Sequence, residues 1–243
     1  MNKITSQFLI ASIIGGTMML VFSTDAFCRI IEQRNLNNTD DIPGTRHYQI
    51  VPEGRFASID VELMNRSIDT FRRGNNSEKA ALIENIRAHS DRYAPPVFFF
   101  MAEELYRNGR KEEAVFWRHA GHIRGTFDKE RCQDKTAHSY LSMLLGLTGR
   151  DIVQYCISDI PLLERVVPKA IAWDKKTPYN YDHRWINLHG LGSINASLGN
   201  GDNNKPMSLS EKNWPELAEN VRQQFSKDFN EYIKMAKAQT REP

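Results

Sequence analysis

The chain has 243 residues, of which 40% are hydrophobic and 26% are charged, a composition typical of a globular protein. Its 32 basic and 30 acidic residues leave a net charge of +2, so charge gives no reason to expect a nucleic-acid partner. The length allows one domain with a substantial core or two small ones, and no segment after residue 26 is apolar enough to be expected to cross a membrane.

The first 26 residues have the three-part pattern of a secretory signal peptide. Lys3 gives a positive start, residues 8–22 are almost wholly apolar or small, and small residues lead to a cleavage point after Ala26. The apolar run of about 15 residues is shorter than the roughly 20 that span a bilayer as a helix. The pattern predicts export, in a bacterium to the periplasm. A retained anchor and lipidation at Cys28 are the alternatives, although Phe27 stands where a lipoprotein signal needs a small residue.

After the signal, residues 27–57 are predicted to form an irregular lead-in, since polar and turn-forming residues dominate it. Residues 48–51 would form a short strand or an extended arm. From residue 58 to residue 243 the sequence predicts a single all-α domain.

Apolar residues at helical spacing predict helices over residues 59–73, 78–89, 95–108, 111–124, 136–147 and 160–174, and a short helix after Arg150. Ser77 is the predicted N-cap of the second helix, Pro95 and Pro96 open the third, and Pro168 is a candidate kink. The expected buried positions of the first two helices are Leu63, Met64, Ile68, Phe71, Ala81, Leu82, Ile86 and Ala88. A long final helix begins at Trp214 and Pro215.

A loop-rich insert at 175–210 precedes that final helix. Its first half, 179–189, is aromatic. Its second half, 190–205, is rich in glycine, asparagine and serine and is expected to be mobile.

Three glycines, Gly74, Gly109 and Gly149, each follow one predicted helix and precede another, at spacings of 35 and 40 residues. Seven positions before them stand the small residues Ser67, Ala102 and Ser142, and eight positions after them stand Leu82, Trp117 and Ile157. A small residue lets two helices approach, and glycine reverses the chain at low conformational cost. The pattern predicts helical hairpins, with an irregular helical bundle as the alternative.

The middle unit, residues 98–120, contains Ala102, Leu105-Tyr106, Gly109, Glu113-Ala114 and Trp117 in this order. It resembles the tetratricopeptide and Sel1-like repeats, which have similar periods. The outer units lack the Leu-Tyr pair and the Glu-Ala step. The resemblance implies stacked antiparallel hairpins that present a surface to protein or peptide partners.

A second, shorter resemblance covers residues 172–185. This block is similar to a tail segment of exported bacterial proteins, some of which are linked to toxin-immunity loci. It implies an immunity-type partner, a secreted toxin, and it carries no catalytic residue.

The three cysteines are Cys28, Cys132 and Cys156, and none is in a C-x-x-C motif. An oxidising compartment favours a disulfide between Cys132 and Cys156, which flank one predicted helix. The alternative is that both are buried thiols that behave as small apolar residues.

The aromatic half of the insert supplies the candidate binding residues. Trp173, Tyr179, Tyr181 and Trp185 could anchor a protein partner, since aromatic side chains are favoured in interfaces. The alternative is that they fold back and cover the end of the last hairpin.

Chemical motifs are scarce. His119 and His122 stand one turn apart and could hold zinc with Cys132 or His138, but ordinary surface or interface histidines are favoured. Asp174, His183 and His189, with Ser193 nearby, would be the acid–base candidates of an envelope-acting hydrolase. The chain contains no G-x-S-x-G, H-E-x-x-H or phosphate-binding loop.

These features together favour a non-catalytic periplasmic protein-binding module without a cofactor, in its sharper form an immunity-type inhibitor of a secreted toxin. A hydrolase with its site between residues 174 and 189 and an oligomeric assembly factor are the alternatives.

Overall fold

A computed structural model describes residues 51–201 and 205–239 of the chain. These residues form nine α-helices, so the predicted all-α fold class is confirmed. In chain order they are α1 (Glu62–Arg73), α2 (Asn76–Ala88), α3 (Pro95–Arg107), α4 (Lys111–Arg131), α5 (Ser139–Leu147), α6 (Arg150–Ser158), α7 (Ile160–Lys176), α8 (Leu191–Ser197) and α9 (Trp214–Gln239). The predicted signal peptide and residues 27–50 lie outside the described residues, and Val51 has no regular structure.

Helix α4 is the centre of the fold. A helix at the surface buries one stripe of residues, whereas α4 buries 12 of its 21 residues on all sides. Helices α3, α7 and α9 pack along it, and α5 and α6 also contact it. Helix α1 packs on α3, and α2 packs on α1. Among the described residues, no helix combines the length and the apolar character that a membrane span requires.

The hairpin of α3 and α4 contains most of the aromatic core. Its turn places Gly109 at a φ of 78°, in the left-handed region that favours glycine. Gly121 lets the two helices approach, because a Cβ atom there would lie 3.1 Å from the Cβ of Phe98. The ring centroid of Trp117 is 5.2 Å from that of Phe98 and 5.4 Å from that of Trp173. Three aromatic side chains from α3, α4 and α7 thus meet in one cluster.

Two of the three predicted hairpins form. Ser67 and Ala102 are buried where their hairpins close, but Ser142 is exposed. Helices α5 and α6 pack against α4, and α6 also packs against α7, while α5 and α6 have little contact with each other. The helices therefore surround α4, and the proposed kinship with tetratricopeptide or Sel1-like repeats stays a prediction.

Local hydrogen bonds place the start of α2 differently from the prediction. Helix α2 is capped by Asn75 and not by Ser77, since Asn75 Oδ1 accepts the Glu78 N–H at 3.0 Å and Glu78 accepts the Asn75 N–H at 2.8 Å. Its buried residues are Ile83 and Ile86, while Ala81 and Ala88 are exposed.

The insert is more regular than the sequence suggested. Helix α7 continues through Pro168 to Lys176, and a 3-10 helix occupies His183–His189. Helix α8 follows within the segment expected to be mobile. The backbone N–H of Gly192, near the start of α8, donates to Asp134 Oδ2 at 2.9 Å, which anchors this helix to the end of α4.

Candidate functional site

The candidate binding aromatics lie in and beside one segment, residues 177–189, which we call the strap. The strap connects α7 to α8 and lies across the second half of α4. Two of its carbonyl groups, those of Thr177 and Pro178, accept hydrogen bonds from the Arg124 guanidinium at 2.6 and 2.9 Å. A buried cation on α4 thus holds the start of the strap.

Arg124 also belongs to a buried ion triad. Its Nε lies 3.2 Å from Asp174 Oδ1 on α7, and Arg222 Nη1 of α9 lies 3.1 Å from Asp174 Oδ2. The Tyr179 hydroxyl donates to the same carboxylate at 2.8 Å, and the Tyr179 and Trp173 rings stack over the Arg124 guanidinium. A buried charge is tolerated when it is paired and hydrogen-bonded, as it is here. The triad therefore joins α4, α7 and α9.

A second buried carboxylate, Asp128, lies one turn further along α4. It pairs with Arg131 at 2.5 Å and accepts hydrogen bonds from Trp185 Nε1 at 2.6 Å and the Tyr181 hydroxyl at 3.1 Å. Burial raises the pKa of Asp128, although Arg131 and the two donors oppose that shift. Burial and the neighbouring Asp128 raise the pKa of Tyr181 well above its ordinary value. Asp128 thus holds the middle of the strap through two aromatic donors.

These contacts decide where the candidate anchors point. Trp185 is fully buried and offers no surface to a partner. For this residue, the structure contains the folded-back alternative. Trp173, Tyr179 and Tyr181 are half-buried. Trp173 packs on the aromatic core, and both tyrosine hydroxyls bind buried carboxylates. The four aromatic residues mainly fix the strap to the helices.

A cleft of about 290 Å³ opens between the start of α1 and the strap. Its buried and half-buried lining residues are mainly apolar or aromatic, its exposed lining residues are polar, and polar atoms supply most of the lining surface. The lining residues are Asp60, Val61, Glu62, Leu63, Met64, Arg66, Arg92, Ala94, Asn180, Tyr181, Asp182 and Trp185. Of the two residues that Asp128 holds, half-buried Tyr181 forms part of one wall of this cleft, and buried Trp185 lies behind it.

The polar lining of the cleft is tied into the fold. Asp182 Oδ2 accepts the Asp60 N–H at 2.9 Å and pairs with Arg184 at 2.6 Å. Burial opposes ionisation of Asp182, but these hydrogen bonds outweigh it and lower its pKa. The side chain of Asn180 donates to Asp91 at 2.8 Å. Because its walls are fixed in this way, the cleft is a preformed feature of the surface.

The residues of the hydrolase alternative have separate partners. Asp174 is the centre of the ion triad. His183 Nε2 is 2.8 Å from Ser208 Oγ, its ring packs on Trp214, and burial lowers its pKa to about 4. His189 stacks on Tyr140, and Ser193 is buried. Asp174, His183 and His189 thus each have a structural contact of their own, and none of these contacts joins two of them.

The candidate zinc ligands are not brought together either. The rings of His119 and His122 pack against Phe225 of α9, and His138 Nε2 is 3.2 Å from the carbonyl oxygen of Cys132. Within residues 51–201 and 205–239, no group of three histidine, cysteine, aspartate or glutamate side chains is arranged to hold a metal ion.

Cys132 and Cys156 are free buried thiols, so the expected disulfide is not formed. They lie in different apolar clusters, Cys132 beside the strap and Cys156 in the main core. Asn187 Nδ2 donates to Cys132 Sγ at 3.2 Å. Burial raises the pKa of Cys132 to about 11 and that of Cys156 to about 12. Cys28 lies outside the described residues.

Sequence reasoning missed the polar side chains that organise the strap. Arg124, Asp128 and Arg131 lie four and three residues apart, which places them on one face of a helix. The available signal was this charged face, which continues next to the apolar pattern of α4. The helix predicted over residues 111–124 ends where the charged face begins, whereas α4 continues to Arg131.

Comparisons with known protein families, with curated proteins and with solved structures found no match to this chain. The functional argument therefore depends on the residues and contacts of the chain itself.

Proposed function

We propose that this protein is a non-catalytic protein-binding module of the bacterial cell envelope, exported by its N-terminal signal. The observation that carries the proposal is the preformed cleft between α1 and the strap. In its sharper form, suggested by the resemblance over residues 172–185, the protein is an immunity-type inhibitor that neutralises a secreted toxin.

The lining of the cleft favours a side chain of a protein partner. At about 290 Å³ the cleft lies at the lower end of the range of about 300 to 1,000 Å³ for small-molecule pockets. Its buried and half-buried lining residues are mainly apolar or aromatic and its exposed ones are polar, as is usual for a protein interface. Arg66 and Arg92 at the exposed rim add the residue type that interfaces favour.

Site-specific cross-linking tests the binding proposal. A photo-reactive residue replaces exposed Arg92 at the cleft, and in a matched control it replaces exposed Lys227 on α9, which does not line the cleft. In cells of the source bacterium, we expect one protein adduct from position 92 and none from position 227. Adding Met64→Glu, which places a charge in the cleft, should remove the adduct while the circular dichroism spectrum stays unchanged. Equal adducts from both positions, or none from either, would contradict the proposal.

Growth rescue tests the immunity form separately. The exported chain is produced together with the toxin candidate encoded next to it. We expect the wild-type chain to restore growth and the Met64→Glu variant to fail. If the folded wild-type chain gives no protection but still cross-links through position 92, the immunity form is wrong and the binding proposal stands.

A further inference from the structure

One contact between α9 and α4 joins a phenylalanine to two histidines. Its Phe225 ring packs edge to face on two histidines of α4, with centroid distances of 6.3 Å to His119 and 5.1 Å to His122. His119 Nδ1 is 2.8 Å from the carbonyl oxygen of Val115. Both imidazoles are half-buried, and Phe225 covers both of them. The α4–α9 interface therefore contains two titratable groups facing one apolar ring.

The surroundings of the two histidines do not favour a positive charge. The charged groups that act on His122 are Arg118 and Lys129 of α4 and protonated His119, and all three are cations. The charged groups of α9 and α7 near this interface already have partners: Arg222 with Asp174 and Glu219, Lys175 with Glu219, Lys237 with Glu164, and Asp228 with Gln224. Protonation would place two cations one turn apart, and no carboxylate is among the charged groups that act on either histidine.

We propose that the contact between α4 and α9 is an acid-sensitive latch. Protonation of His119 and His122 weakens the docking of α9 and uncovers the apolar surfaces of α4 and α7 beneath it, while the α3–α4 hairpin stays folded. This inference does not depend on the proposed function.

The direction of the pH effect follows from the pKa of each histidine when α9 is docked and when it is undocked. Burial, together with the nearby cations, lowers the pKa of docked His119 to about 4 and that of docked His122 to about 3. When α9 undocks, both histidines lose the burial that α9 causes, so their pKa rises toward the ordinary value of about 6.5, while Arg118 and Lys129 of α4 stay beside them. Between those values the undocked state binds more protons, so docking is complete above about pH 7 and weakens as the pH falls. At pH 5 the pair should shift the docking equilibrium on the order of 10²- to 10³-fold.

A third histidine, His183, also contacts α9, since its ring packs on Trp214 at 4.7 Å. Burial and Arg131 lower its pKa to about 4, but Asp182 offsets part of that shift. Its effect should therefore add to the latch at the start of α9 and should be smaller than that of the pair.

Hydrogen exchange of the full mature chain tests the latch. Amide exchange is measured at pH 7.5, 6 and 5, and each rate is corrected for the intrinsic pH dependence of exchange. We expect the opening equilibrium of residues 221–233 to rise on the order of 10²- to 10³-fold between pH 7.5 and pH 5. Over the same range, amides of α3 should change less than about tenfold. The double variant His119→Gln/His122→Gln should lose most of the rise, and the control variant His89→Gln, at an exposed histidine, should keep it.

Two outcomes would overturn the latch: an equal rise in all helices, which indicates global acid unfolding, or a double variant that keeps the full rise. If the double variant does not fold, titration of the histidine ring resonances in the wild-type chain decides. Two ring pKa values below about 5 support the latch, and values near 6.5 overturn it.

Discussion

The two halves of α4 pack in opposite ways. Residues 111–123, the apolar half, bury mainly alanine, valine, isoleucine and tryptophan against α3 and α7. Residues 124–131, the polar half, bury Arg124, Asp128 and Arg131 against the strap and α9. In the apolar half Arg118 is the buried charged residue, and it donates to the carbonyl groups of Leu145 and Thr148 at the end of α5.

The two halves of α4 therefore contribute to the fold through different interactions. Apolar contact is non-directional and roughly proportional to buried area, so the apolar half tolerates apolar side chains of similar volume at small cost. A buried charge adds little net stability when it is paired, but it is very costly when it loses its partner. The polar half therefore fixes which loop lies where, whereas the apolar half supplies the general stability.

Removing the shared carboxylate of the ion triad should give the largest effect. Asp174→Leu leaves Arg124 buried without its carboxylate partner and removes one of the two carboxylate partners of Arg222, which keeps Glu219. We expect a loss of about 3–5 kcal/mol in the free energy of unfolding, measured by urea denaturation. The half-buried Tyr179 should also become more exposed, which near-ultraviolet circular dichroism can detect.

The double variant Arg124→Met/Asp174→Leu is the control for that prediction. It removes both buried charges of the pair and keeps their volume, so it should recover more than half of the lost stability. A double variant as unstable as the single one would show that the hydrogen bonds from Arg124 to the strap carbonyls matter more than the ion pair.

The sequence predicted the apolar half of this comparison well. Apolar spacing and the Asn108-Gly109 stop located α3 and the start of α4 within a residue, because burial of one stripe and a glycine turn are encoded locally. It missed the polar half, since the helix predicted over residues 111–124 ends before Asp128 and Arg131. The partners of the polar half, including Asp174 and Trp185, lie about 50 residues further along the chain. No local pattern records such a contact.

The candidate site was predicted in part for the same reason. The aromatic composition of the insert drew attention to residues 173–185, and their role in binding a partner stays a prediction. An aromatic residue either binds a partner or holds its own segment in place, depending on whether a buried hydrogen-bond acceptor is present, here Asp128 for Trp185. The cleft was not predictable, because it forms where α1 meets the strap more than 100 residues later.

A mild change in the apolar half should have a smaller effect. Ile123 is fully buried on α4, next to Arg124 in the sequence. Ile123→Val removes one methylene group and leaves the charges of the polar half unchanged. We expect the free energy of unfolding to fall by about 0.5–1.5 kcal/mol in urea denaturation. A loss as large as that of Asp174→Leu would remove the distinction between the two halves.

The smallest effect is expected at an ion pair at the solvent-exposed start of the same helix. Glu112 pairs with Arg165 of α7 at 2.9 Å, and both side chains are about half exposed. The contact lowers the pKa of Glu112, chiefly through the hydrogen bond from Arg165. Water and salt screen such an exposed pair, so it should contribute much less to stability than the buried contact of Arg124 with Asp174. Glu112→Gln should therefore leave the urea midpoint unchanged within error, at low salt and at high salt. A clear drop that disappears at high salt would show that charge pairing supports α4 at its surface as well as in its polar half.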